Sequence, residues 1–141
     1  MTAACELCEG IGGEELYRDH QLRVVLVDDA QYPGFCRVIW QTHVKEMTDL
    51  APTERSAMMQ MVMKVETALR EAMNPDKINL ASLGNMTPHL HWHVIPRFAD
   101  DAHFPSPVWA NAQRATDAAT LASRTAQLEA LRAALARQTA Q

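Results

Sequence analysis

The sequence predicts an α+β protein, and three observations carry that reading. Short runs rich in β-branched residues lie on both sides of one long amphipathic segment. An Ala-, Leu- and Arg-rich tail with helical spacing follows them. With 141 residues, 48% of them apolar, the chain can bury a core in a single compact unit. The reading places a main domain at residues 1–110 and a helical extension at residues 111–141.

Residues 5–13 form a knuckle bearing cysteines and glycines. Leu22–Asp28 and Phe35–Trp40 read as strands, separated by the turn signal Tyr32-Pro33-Gly34. A helix begins at Pro52-Thr53, with Thr53 as its cap and Glu54 where the helix dipole favours an acid. Met58, Val62, Val65, Leu69 and Met73 give that helix one apolar face, and Asn74-Pro75 ends it. The methionines between Met58 and Met63 read as core packing, not as a binding groove. Ile78–Leu83 and His89–Ile95 read as further strands, the second alternating strictly. Residues 99–114 read as a loop. In the tail, Leu121, Leu128, Leu131 and Leu135 share one side of a single helix, which either docks on the domain or pairs with a partner chain.

Composition narrows the function. A net charge of −4 and a pI near 5.8 argue against wrapping nucleic acid by bulk charge. They leave room for a nucleotide ligand, whose phosphate needs only a few local donors. No apolar run reaches the length of a membrane span, and the first residues lack the basic and apolar stretches of a secretory signal. The expected setting is therefore the cytoplasm, where three cysteines are metal ligands or buried thiols, not disulfides.

The chemistry concentrates in His89-Leu90-His91-Trp92-His93-Val94-Ile95. Strand alternation sets the three imidazoles on one face, about 7 Å between successive members, with Leu90, Trp92 and Val94 on the other. Such a row is a solvated polar face, a metal site completed by another segment, or a nucleophile with its acid–base partner. Histidine suits the last role because a reference pKa of about 6.5 leaves a neutral nitrogen at pH 7. Cys5-Glu6-Leu7-Cys8 has metal-binding spacing. No second Cys-x-x-Cys follows to make a zinc ribbon, and no strand precedes it as a thioredoxin-type redox pair requires. Cys36 alternates with Val38 and Trp40 and reads as a buried thiol. His20 and His103 read as loop residues.

The His89–Ile95 pattern, followed by Pro96-Arg97, resembles the signature of the histidine-triad (HIT) superfamily. The segment Pro33 to His43 is similar to the strand and basic turn that precede the HIT helix, and the order of elements agrees over residues 5–100. The resemblance implies a HIT-like α+β fold: an antiparallel sheet of about five strands with one main helix, here with an extra C-terminal helix. It also implies a nucleotide or dinucleotide substrate, attacked at the α-phosphate through a nucleotidyl–histidine intermediate. Dinucleoside polyphosphates, nucleoside phosphoramidates and similar conjugates are the implied class. By position, His91 is the implied nucleophile and His93 the donor to the phosphate or leaving group. Asn85 and Asn79 correspond to phosphate contacts and Asp28 to the acid that holds the ribose; Asn79 and Asp28 each stand one residue off the family's spacing. Met86 stands where many relatives carry Ser or Thr, which leaves Thr87 as the substitute hydroxyl. Zinc-binding relatives are similar at Cys5, Cys8, His43 and His89, which implies a structural Zn2+ held by four protein ligands. Relatives are often homodimers. The competing functions are a non-catalytic purine-nucleotide-binding module and a zinc-stabilised interaction domain.

Overall fold

The computed structural model describes residues 4–141. Its elements are α1 (Glu6–Glu9), β1 (Glu14–Arg18), β2 (Leu22–Leu26), β3 (Cys36–Trp40), α2 (Pro52–Met73), β4 (Lys77–Ala81), β5 (His91–Arg97), α3 (Ala118–Ala126) and α4 (Leu128–Thr139). The five strands form one antiparallel sheet in the order β1-β2-β3-β5-β4. The α+β class and the five-stranded sheet are thus as the sequence predicts.

Register divides the sheet into two faces. Val24, Leu26, Cys36, Val38, Trp40 and Val94 turn one way and bury against α2. From α2 come Met58, Val62, Val65, Leu69 and Met73, the five residues of the predicted apolar face, all buried. Met61 joins them, while Met63 is exposed. Leu131, Ala134 and Leu135 of α4 enter the same core, so the tail docks on its own domain. The other face of the sheet carries Arg23, Arg37, Ile39, His91, His93, Ile95 and Arg97, because these residues are cross-strand partners or alternate with them.

Several boundaries differ from the sequence reading. β1 escapes it because Glu14-Glu15-Leu16-Tyr17-Arg18 is a charged edge strand with little apolar alternation. Thr53 lies inside the helix and is not its cap; Ala51 holds that position, and its N–H donates to Glu54 Oε1 at 2.7 Å. The single C-terminal helix is bent at Gln127 into α3 and α4. The two halves are held to different surfaces. Arg124 of α3 pairs with Asp100 and lies 3.7 Å over the Phe98 ring, whereas α4 packs on α2 and pairs Arg132 with Glu14. Strand β5 starts at His91, so His89 precedes it. There the chain leaves the extended path: His89 N–H donates to Thr87 O, and Leu90 N–H donates to Val44 O.

Tyr32-Pro33-Gly34-Phe35 is a tight turn closed by Phe35 N–H to Tyr32 O at 3.1 Å. Gly34 has φ +95, a backbone conformation that demands glycine, and a Cβ there would also lie 2.5 Å from Met73 Sδ, so the methionine would have to shift. Beyond β5, Arg97 pins the following loop. Its guanidinium is 2% exposed and pairs with Asp101 at 2.8 Å, and it also donates to Asn79 Oδ1 and Ser106 O. Burial pushes the Asp101 carboxyl up. Arg97 and the N–H groups of Phe98, His103 and Phe104 outweigh that and hold its pKa at about 2. Removing the carboxylate leaves a buried cation unpaired. Asp101→Ala should therefore lose about 3 kcal/mol of unfolding free energy, read from urea titration at pH 7.

Candidate functional site

His89 lies where two groups of side chains meet. Its Nε2 donates to Trp40 O at 2.6 Å, which leaves the Nδ1 lone pair free. That Nδ1 lies 3.4 Å from Cys5 Sγ, 3.4 Å from Cys8 Sγ and 3.2 Å from His43 Nδ1, and Cys8 Sγ lies 3.3 Å from His43 Nδ1. The four ligand atoms fall within 4.8 Å of one another, a group that can hold a metal ion. The knuckle that brings the cysteines here is tied down by Arg23, whose guanidinium donates to the carbonyls of Leu7, Gly10 and Ile11 and to Gln41 Oε1. Leu7 packs on Val25 and Ile39 of the same sheet face.

Two residues on, the backbone carbonyl of His89 accepts from His91 Nδ1 at 2.5 Å. A carbonyl cannot donate, so Nδ1 carries the proton and Nε2 keeps its lone pair. His91 and His93 meet edge to face with ring centroids 4.9 Å apart. Both are buried, at 7% and 6% exposure. Burial, with a smaller push from the Arg37 charge, lowers the pKa of His91; its bond to His89 O acts the other way. Burial, then His91, then Arg37 lower His93 to about 4. Among the described residues the buried His93 Nδ1 has no hydrogen-bond partner, and its ring is flanked by Phe35 and by Trp109, 5.5 and 5.2 Å away. A cavity of about 210 Å3 borders His91 where β4 and β5 diverge, lined also by Lys45, Ser82 and Gly84.

The sequence matches the HIT domain family over residues 11–100. The chain belongs to the HIT domain family. Among solved structures, this HIT domain resembles a histidine triad protein from Bradyrhizobium japonicum, with 29% identity, a TM-score of 0.73 and coverage of 97% of this chain and 96% of that one. Among curated proteins it is 30% identical over 78 residues to an AP-4-A phosphorylase of Mycobacterium tuberculosis, covering 51% of this chain and 40% of the relative. It is 28% identical over 111 residues to the adenylylsulfatase HINT3 of Arabidopsis thaliana, covering 72% and 56%. The HIT domain thus spans about half the length of the curated relatives it matches.

The structure brings together Cys5, Cys8, His43 and His89 as one group, and His91 with His93 as another. The remaining sequence-predicted residues lie apart from these contacts. Asn79 is on the histidine face of β4, but its Oδ1 accepts from Arg97. Asn85 is exposed in the loop after β4. Thr87 lines a cavity of about 480 Å3 with Cys5, His43 and Met86, beside the cysteine–histidine group. Asp28 lines a cleft of about 540 Å3 with Glu14, Leu128 and Arg132, and that lining includes none of the triad histidines. His103, read as a bystander, stacks on Tyr32 and hydrogen-bonds its hydroxyl, which helps hold the 98–114 loop. Arg37 and Trp109 flank the histidine pair without having been singled out in the sequence. The available signal was alternation: Arg37 puts a charge into the middle of an otherwise apolar strand, on the face opposite Cys36 and Val38.

The low pKa of His93 has a signed consequence. The unfolded chain's imidazole takes up a proton near pH 6.5 and the folded one only near 4, so the unfolded state binds more protons between them. Stability is retained above pH 6.5 and falls as pH drops toward 4. In an NMR titration the His93 Cε1–H resonance should hold its neutral position down to about pH 5, and a midpoint near 6.5 would refute the burial argument.

Proposed function

We propose that this HIT domain is a nucleotidyl hydrolase or transferase that acts at the α-phosphate of dinucleoside polyphosphates, nucleoside phosphoramidates or similar conjugates. The observation that supports it most is the tautomer of His91: with Nδ1–H committed to the His89 carbonyl, Nε2 is an unprotonated, oriented nucleophile at neutral pH. Both named curated relatives also act, by their names, on adenylyl compounds.

In the first step the Nε2 lone pair of His91 attacks the α-phosphorus. The bond from phosphorus to the leaving oxygen or nitrogen breaks, and the leaving group departs with its electron pair. The nucleotidyl group is then on Nε2 and the imidazole is cationic, a charge that the Nδ1–H to carbonyl bond stabilises. In the second step water, or another acceptor, attacks phosphorus from the opposite side. The P–N bond breaks, and the water proton leaves with solvent or the product. Neutral His93 holds one N–H to donate to the phosphate or leaving group. Asn85, Asn79, Asp28 and Thr87 are assigned to substrate binding in this reading. Asn79 would have to release Arg97, and Asp28 would have to be reached by a ligand that extends into its cleft. Residues 1–110 form the HIT domain and 111–141 its extension. The reading includes a homodimer, for which the free edge of β4 offers a pairing surface, and a cytoplasmic setting, which suits three free cysteines.

Zinc is the ion we assign to the Cys5, Cys8, His43 and His89 group. Tetrahedral bonds near 2.3 Å to sulfur and 2.0 Å to nitrogen give edges of about 3.5 Å between thiolate and imidazole and about 3.3 Å between imidazoles. The observed separations of 3.3–3.4 Å and 3.2 Å fit those edges. The Trp40 carbonyl on His89 Nε2 is the supporting hydrogen bond that metal-binding histidines need. When bound, the ion supplies a crosslink between residues 5–8 and the segment that leads into β5.

Two experiments test these assignments. Intact-mass spectrometry after mixing with diadenosine tetraphosphate, quenched in mildly basic buffer, should show an AMP adduct or released AMP. His91→Ala should lose the adduct and slow release by roughly a thousandfold or more while keeping its fold. Nucleotide binding with no adduct and no release would favour the non-catalytic binding module. Elemental mass spectrometry should find one zinc per chain, lost in a Cys5→Ser, Cys8→Ser variant together with several degrees of melting temperature. A variant that retains the metal would remove the four-ligand assignment.

A further inference from the structure

Four arginines lie on the histidine face of the sheet, and the one on the edge strand β1, Arg18, pairs with Glu15. Arg23 and Arg97 spend their donors within the fold, on three carbonyls and Gln41 in one case and on Asp101, Asn79 and Ser106 in the other. Arg37 is different. It sits in the middle of β3 as the cross-strand partner of His93, half-buried. Among the described residues its buried Nε has no hydrogen-bond partner and no carboxylate pairs with its guanidinium. Its Cζ lies 5.9 Å from the centroid of the Phe35 ring, which itself packs on His93. A buried donor left without an acceptor opposes folding, yet this fold satisfies the donors of Arg23 and Arg97.

We propose that Arg37 is a phosphate-binding residue of this site, gripping the non-bridging oxygens of a nucleotide phosphate presented to His91. The planar guanidinium fork matches two phosphate oxygens, and a bound anion supplies the acceptors that the fold withholds. It is the cross-strand partner of His93, whose ring meets that of His91 with centroids 4.9 Å apart, so an oxyanion at the histidine pair lies within the field of the guanidinium. The choice of phosphate rests on His91 being the nucleophile; the anion site itself does not.

The test uses the full chain with Arg37→Gln and Arg37→Lys, and titration calorimetry with AMP, adenosine and inorganic phosphate. Arg37→Gln should weaken AMP and phosphate by about tenfold to a hundredfold, the worth of a charge-assisted contact, and leave adenosine unchanged. Arg37→Lys should fall between, because an ammonium keeps the charge and loses the fork. In the wild type, the Arg37 Nε–H signal in 15N NMR should move with AMP or phosphate and not with adenosine. AMP and adenosine weakened equally, or neither weakened in a folded variant, would overturn the proposal. So would an Nε–H signal that ignores both anions, which decides the matter even if a variant does not fold. AMP affinity that depends on Arg37 without any adduct would sink the His91 chemistry and keep the anion site. An adduct with Arg37-independent affinity would do the reverse.

Discussion

The structure hangs on the peptide unit and side chain of His89. Its imidazole faces the cysteines and His43 through Nδ1 and is clamped by the Trp40 carbonyl through Nε2. Its own carbonyl then selects the tautomer of His91. A neutral imidazole has only one N–H, so each of these two rings has one nitrogen tied to a carbonyl and the other left as a lone pair aimed away from it. If the His89 backbone rotated, both selections would fail together. The irregular path of the chain at His89, two residues before β5 begins, is what makes this possible. In a regular ladder the His89 carbonyl would point at a neighbouring strand and could not reach the ring two positions ahead.

The rest of the fold protects that geometry from both sides. One sheet face is apolar and packs on α2 and α4, which sets the height of β3 and β5 against a dense core. The opposite face is polar, and a buried polar face survives only where its groups find partners. Arg23 binds the knuckle at one end and Arg97 binds the 98–114 loop at the other, each by several charge-assisted bonds. Between these anchors the histidine pair and Arg37 occupy the part of the face where saturation stops. The loop that Arg97 holds also delivers Trp109, half exposed, against His93.

How much of this was legible in the sequence depends on the range of the interaction. Period-two and helical spacing gave β2, β3, β5 and α2, with the apolar faces of Val38, Val94 and Met58 to Met73, because those signals are local. The Pro33-Gly34 turn is local too. β1 was not legible, since an edge strand stabilised by pairing and by Glu14–Arg132 needs no apolar alternation of its own. The bend at Gln127 was not legible either: no proline or glycine marks it, and its cause is that Arg124 and Leu131 dock on different surfaces. In the site, the four side chains that can hold a metal come from three distant segments, and spacing alone offered only the Cys5–Cys8 pair. The family resemblance named the other two, and packing brings them within reach. Resemblance was weaker where this chain shifts by a residue. Asn79 and Asp28, the two positions out of step with the family spacing, are those whose side chains point into Arg97 and into a separate cleft.

Net charge and local charge also part company here. The chain carries −4 overall, which by itself would repel a nucleotide. Screening at physiological salt confines that repulsion to roughly 8 Å, so what a bound phosphate feels is the handful of groups around it. In the proposed site those groups are two imidazoles kept neutral by burial and one guanidinium that, among the described residues, pairs with no carboxylate. Keeping the imidazoles neutral and keeping a cation beside them are one arrangement, because the cation's field is part of what lowers their pKa values. On the reading proposed above, a nucleophilic nitrogen and a positive site for the phosphate it would attack coexist at pH 7. A pair of protonated histidines would supply the charge and forfeit the lone pair.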